Sequence, residues 1–209
     1  MSSDETTDLG SLAAEETVLT GHVTGALPAG FDAPLDTDDA QLVGADLHDA
    51  RILDGRWSST TVTGSDLGRT QWEATRLADV DFEDCDLTGM QVLGKTVFER
   101  VTFTNCKLAY SNWFDCVLDD VRFVNCHFRE SRFASMTMRA VIAATSDFTG
   151  ATFDRMELRG VGDFDLRGST IEDTSGLPHI RGLRVDTTQA AAIGAALLAA
   201  RGIVVADDE

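Results

Sequence analysis

Large apolar residues return every five positions through most of this chain. From residue 105 to 133 the sequence divides into NCKLA, YSNWF, DCVLD, DVRFV, NCHFR and ESRF. Leu108, Trp113, Leu118, Phe123, Phe128 and Phe133 mark the beat, and two places before each stands a smaller residue: Cys106, Ser111, Cys116, Val121, Cys126 and Ser131. A helix repeats at about 3.6 residues and a strand at two, so neither explains a period of five. The pattern is an internal repeat, the mark of a fold built from stacked units.

The beat runs both ways. Upstream it falls at Leu42, Leu47, Ile52, Trp57, Val62, Leu67, Trp72, Leu77, Phe82, Leu87 and Val92. One extra residue intervenes near Leu93-Gly94-Lys95. Counting resumes at Phe98 and Phe103 and continues past residue 133 through Met138, Ala143, Phe148, Phe153 and Leu158. A second slip covers residues 159–164, and Leu166 and Ile171 recover the phase.

Individual units carry a family likeness. GADLH at 44–48, GSDLG at 64–68, CDLTG at 85–89, NCHFR at 125–129 and SDFTG at 146–150 resemble the pentapeptide-repeat family, whose unit reads A-(D/N)-(L/F)-x-x. The resemblance implies an all-β solenoid, a right-handed quadrilateral β-helix with four units to a coil and the large and small residues inside. Stacking buries what one unit cannot bury alone. Coils then rise by about 4.8 Å, the spacing of paired strands. Four inward columns follow, led by Leu47, Ile52, Trp57 and Val62. The last continues through Phe82, Phe103 and Phe123 to Ala143, whose small side chain predicts a thin or irregular coil there.

Three segments result. Residues 1–39 hold nine acids and no Lys or Arg; the first dozen read as disordered, and Thr17 to Val23 as a strand or an irregular cap. Residues 40–173 form the solenoid. Residues 174–209 hold a turn, a strand around Leu183 and Val185, a capping α-helix from about Gln189 to Arg201, a short IVV strand and an acidic tail. Asp186 and Gln189 have capping-box spacing. Ile193 and Leu197 share one helix face, and that face either plugs the solenoid or pairs with a second copy.

Charge narrows the function. A formal charge of -18 excludes a general nucleic-acid binder. No apolar run reaches the roughly 20 residues of a membrane span, and the acidic N-terminus has no secretory pattern, so the cytoplasm is the expected location. Cys85, Cys106, Cys116 and Cys126 all occupy the small inward slot and read as core filler rather than disulfides or metal ligands. No phosphate-binding glycine loop, histidine pair or nucleophile with a base is present. The chain reads as neither an enzyme nor a cofactor binder.

Some members of the family modulate or protect DNA gyrase and topoisomerase IV as dimeric, acidic mimics of duplex DNA. The resemblance therefore implies a protein partner, DNA gyrase or topoisomerase IV, and a homodimer through the C-terminal helix. The candidate surface comprises Asp46, Asp66 and Asp86, one coil apart before the Leu47 column, and the acidic run containing Asp79, Asp81, Glu83 and Asp84. Gly94 and Lys95 join it if the extra residue makes a displayed loop rather than a register irregularity. Asp side chains near turns also bond backbone N–H groups, a competing use for the Asp46 column. Of 35 acids, nine precede Gln41 and three end the chain, leaving 23 against 17 bases. Duplex DNA carries one charge per about 1.7 Å, so mimicry requires one face to collect the acids. Arg56, Arg76, Arg100, Arg139 and Arg159 beside the Trp57 column would leave the Leu47 and Val62 faces more acidic. The alternative is a general protein-interaction scaffold with another partner.

Overall fold

A computed structural model describes residues 6–12 and 18–203. Every beat residue from Leu42 to Phe153 is buried, and so is the small residue two places before each. The chain is extended between corners, so positions two apart share a side. Corners fall two residues after the beat, where the backbone turns left-handed: φ is 59° at Asp49, 54° at Asp54, 58° at Asp79 and 54° at Asp84. Asp, Asn and Gly enter that region at least cost, and they hold many of the corners.

Pairing is parallel and runs coil to coil. Strands Asp36–Val43, Arg56–Thr63, Arg76–Glu83, Val97–Thr104 and Val117–Val124 each wrap two adjoining faces, those of Trp57 and Val62. Three-residue strands from Arg51–Leu53 to Thr152–Asp154 make the Ile52 face. The Leu47 face is held by single bridges running Asp46, Asp66, Asp86, Lys107, His127 and Asp147. The expected columns form: Phe82 pairs with Phe103 and Phe103 with Phe123, their rings stacked at 4.8 and 5.1 Å between centroids. Phe128 and Phe148 stack at 4.8 Å, and Phe133 and Phe153 at 4.9 Å. Such pairs add about 0.5–1.5 kcal/mol each to the burial itself.

At Ala143 the long strand breaks into Thr137–Arg139 and Val141–Ala144. The next coil sets a large residue over Val141 rather than over Ala143. Phe164 pairs with Val141, is buried, and lies 6.1 Å from the Phe153 ring. The extra residue near Gly94 makes no projecting loop. Gly94 and Lys95 both turn left-handed, and their N–H and C=O groups keep the ladder: Lys95 donates to Asp115 and Ala74 to Gly94.

The parallel ladder starts upstream of residue 40. Val18–Thr24 pairs with Asp36–Val43, and Thr7–Asp8 pairs with Val23 and Thr24. Leu9 is fully buried, so part of the stretch expected to be disordered closes the first coil. Asp4, Glu5, Glu15 and Glu16 lie outside the described residues. At the other end, Arg184 makes a single bridge to Asp165 instead of a strand over Leu183 and Val185. Ile203 is exposed and outside any strand, and the rest of the IVV segment lies outside the described residues.

Helix α1 (Thr187–Ala200) follows the last coil. Its capping box forms as the sequence predicts: the Gln189 N–H donates to Asp186 Oδ1, and the Asp186 N–H to Gln189 Oε1, both at 2.9 Å. The Gln189 amide then reaches inward. Its Nε2 donates to the carbonyls of Leu166 (2.6 Å) and Ser169 (2.7 Å), tying the helix to the last coil.

Candidate partner-binding surface

The Asp46 column serves its own turns. Oδ1 of Asp46, Asp66 and Asp86 accepts the N–H two residues on, from His48, Gly68 and Thr88, at 2.9, 2.8 and 3.0 Å. Asp147 does the same with Thr149. Bases take the remaining lone pairs: His48 Nδ1 lies 3.3 Å from Asp66, Lys107 Nζ 3.4 Å from Asp86, and Arg129 Nε 2.6 Å from Asp147. Burial works against ionisation of Asp86, yet the Thr88 hydroxyl and N–H and the Lys107 ammonium hold its carboxyl below the usual range. The competing structural use of these aspartates is thus realised.

The arginines beside the Trp57 column are also largely internal. Arg100 makes a two-pronged contact with Asp79, at 2.6 and 2.8 Å, and holds the Asp79 carboxyl below its ordinary pKa. Glu99 pairs with both Arg76 and Arg100, and Arg139 with Asp119. That face carries its own acids, so its arginines leave it balanced rather than basic.

The Val62 face differs. Asp81, Glu83 and Asp84 are exposed, and none of them enters an ion pair among the described residues. Register places Asp81 between Thr61 and Thr102, and Glu83 between Thr63 and Thr104, so no base neighbours them. Asp84 accepts one hydrogen bond, from Asn105 Nδ2 at 3.1 Å. Arg122 lies two coils away. The five acids of the run thus separate: Asp79 and Asp86 are neutralised at its ends, Asp81 and Glu83 lie on the Val62 face, and Asp84 stands at the corner that ends it. Farther along, that face exposes Val124 and Ile142. Gly94 and Lys95 occupy the corner between the Ile52 and Trp57 faces, away from this group.

The other candidate residues are on α1. Ile193 packs against the core, whereas Leu197 is 39% exposed. The helix has no charged side chain, and only Gln189 is buried in it.

The four cysteines are buried free thiols. Cys85, Cys106 and Cys126 point their Sγ atoms at backbone carbonyls of their own and the preceding coil. Contact with Cys106 and burial push the Cys85 thiol up, and burial pushes up Cys116. Among the described residues no group of three or more His, Cys, Asp or Glu could hold a metal ion, and no helix is long and apolar enough to cross a membrane.

Sequence reasoning missed the lock under α1. Asp165 is buried and bound by Arg167 through two nitrogens, with Arg184 at 3.6 Å. Arg167 first, with its own N–H, keeps the Asp165 carboxyl below the usual range against partial burial. The slip at residues 159–164 hid the register that puts Asp165 in the Asp81 column.

Residues 75–162 match the family model described as Pentapeptide repeat region. No curated protein matches the chain. Among solved structures, a trypsin-treated variant of QnrB1, a plasmid-mediated fluoroquinolone resistance protein, is 15% identical over 97% of this chain and 100% of its own, with a TM-score of 0.39. HetL from Nostoc sp. strain PCC 7120, involved in heterocyst differentiation regulation, is 11% identical over 80% of this chain and 82% of its own, with a TM-score of 0.29. Rfr23 from the cyanobacterium Cyanothece 51142 is 10% identical over 66% and 88%, with a TM-score of 0.24. At these identities and scores none of the three says what this chain binds. The five-residue beat, the four inward columns and the family match agree: residues 75–162 are a pentapeptide-repeat region, and the chain continues it on both sides as a β-helix of the same geometry.

Proposed function

We propose that the chain is a non-enzymatic, protein-binding β-helix that works through its Val62 face. The observation that carries this reading is the group Asp81, Glu83 and Asp84: three carboxylates on one rigid face and its corner, without a base beside them, while Asp79 and Asp86 are neutralised. Exposed Val124 and Ile142 extend the face with apolar area of the kind interfaces use. The family resemblance names DNA gyrase, or topoisomerase IV, as the partner to test first, met in the cytoplasm by mimicry of DNA. The uncharged, exposed side of α1 supports a homodimer, with Leu197 at the contact.

A second reading, a general interaction scaffold, is favoured by the Asp46 column. Those aspartates cap their own turns, so much of the rod's acidity has a structural cause and its free charge is far sparser than that of DNA.

One set of measurements separates the two. Gyrase supercoiling is assayed with the wild type and with Asp81→Asn/Glu83→Gln/Asp84→Asn, and the mass in solution is measured for the wild type and Leu197→Glu. The gyrase reading expects an effect at micromolar protein that the triple variant loses by about tenfold, and a dimer that Leu197→Glu dissociates. An inert wild type sinks gyrase as partner and leaves the scaffold. A wild-type monomer sinks the dimer.

A further inference from the structure

A groove runs between the last coil and α1. Two contiguous cavities, of about 330 and 240 Å³, share Ile171, Glu172 and Ala192 as walls. The smaller has an apolar floor of Leu177, Pro178, Ile193 and Ala196, and Glu172 and Asp173 line the same space. Neither acid enters an ion pair among the described residues. The walls are fixed from both sides: Gln189 ties α1 to the coil, and the Glu172 carbonyl accepts the Gly150 N–H at 2.9 Å.

We propose that this groove is a binding site for a small amphipathic cation, an ammonium group carried on an aromatic or short aliphatic body. The body lies on Ile193, Ala196 and Leu177, and the ammonium meets Glu172 and Asp173. Charge selects this occupant over the others at hand. The chain's own last residues, Asp207-Asp208-Glu209, carry the wrong sign. The helix of a second copy presents an uncharged face, its one cation, Arg201, lying past the last turn. Size argues against a protein: cavities of this volume match small ligands, whereas a stable protein interface needs about 800 Å² from each partner. The site is separate from the Val62 face and does not depend on gyrase as partner, and Leu197, the dimer contact proposed above, is not among its lining residues.

The test is a titration of the full chain with phenethylammonium, followed by two-dimensional NMR, with phenylpropionate as the anion of similar shape. Shifts are expected to be confined to residues 169–178 and 188–196. Phenylpropionate is expected to bind at least about tenfold more weakly, and Glu172→Gln/Asp173→Asn to lose about tenfold for the cation, as two partly exposed charge contacts allow. Ala192→Leu, which narrows the shared wall, abolishes binding while the thermal melt stays that of the wild type. Shifts scattered over the acidic solenoid surface, equal binding of the anion, or an unaffected double variant would overturn the proposal. So would a wild type that binds neither probe.

Discussion

Asp86 shows how one residue type serves two purposes in this chain. Its Oδ1 caps the Thr88 N–H, and its Oδ2 meets Lys107. The first role needs an acceptor and the second a charge. Asparagine keeps the acceptor, so Asp86→Asn should stay within about 0.5 kcal/mol of the wild type, while Asp86→Ala, which strands a backbone donor, should cost about 1 kcal/mol. Urea denaturation midpoints measure both. Equal losses would show that charge, not capping, keeps an aspartate there. The same separation explains what was readable: the position of each Asp before the beat was plain in the sequence, but which acids lacked a base was not. Asp81 and Asp79 are two residues apart, yet only the coil below and the coil above decide that one faces threonines and the other Arg100.

At the scale of elements, the C-terminal helix is held by few contacts, chiefly the Gln189 amide, with Ile193 packed against the core. Ala-rich and uncharged, α1 buries only Gln189. Gln189→Ala removes both donors to the Leu166 and Ser169 carbonyls, a loss of about 1–3 kcal/mol. Amide exchange of α1 should accelerate while the coils keep their protection, because a solenoid opens unit by unit. If exchange accelerates evenly along the rod, the helix is part of one cooperative core. The capping-box spacing was legible from Asp186 and Gln189; the inward reach of the glutamine was not, since the spacing fixes only the first turn. Likewise the small Ala143 announced a weak coil, but that the next coil sets Phe164 over Val141 was hidden by a break in the repeat.

The whole molecule carries its acids in a way that makes stability depend on pH from one side. Hydrogen bonds from arginines hold the carboxyls of Asp49, Asp79 and Asp165 below their ordinary range, and backbone N–H groups do the same for Asp186. Asp86 and Asp147 are lowered as well, their partners outweighing burial. In the unfolded chain these groups titrate near about 3.9, so at acid pH the unfolded chain binds more protons than the folded one. The stability they contribute is complete above about pH 5 and is lost as pH falls through their lowered folded values. Thermal melts should therefore hold level from neutral to mildly acid pH and fall below about pH 4, with added salt softening the drop because most of these pairs are exposed. A midpoint that rises on acidification would mean that repulsion among the unpaired acids outweighs the pairs.

By itself the sequence determined the beat: a period of five fits neither helix nor strand, and with the four-unit coil that the family resemblance implies it set the columns of Leu47, Trp57, Phe103 and their counterparts before any contact was known. The N-terminal coil escaped that reading because Leu9, Leu19 and Val23 do not keep the beat. Tertiary structure alone decided which charges remain free and where a groove opens. Both depend on neighbours about twenty residues away, one coil up or down, where a single inserted residue such as Lys95 changes who meets whom.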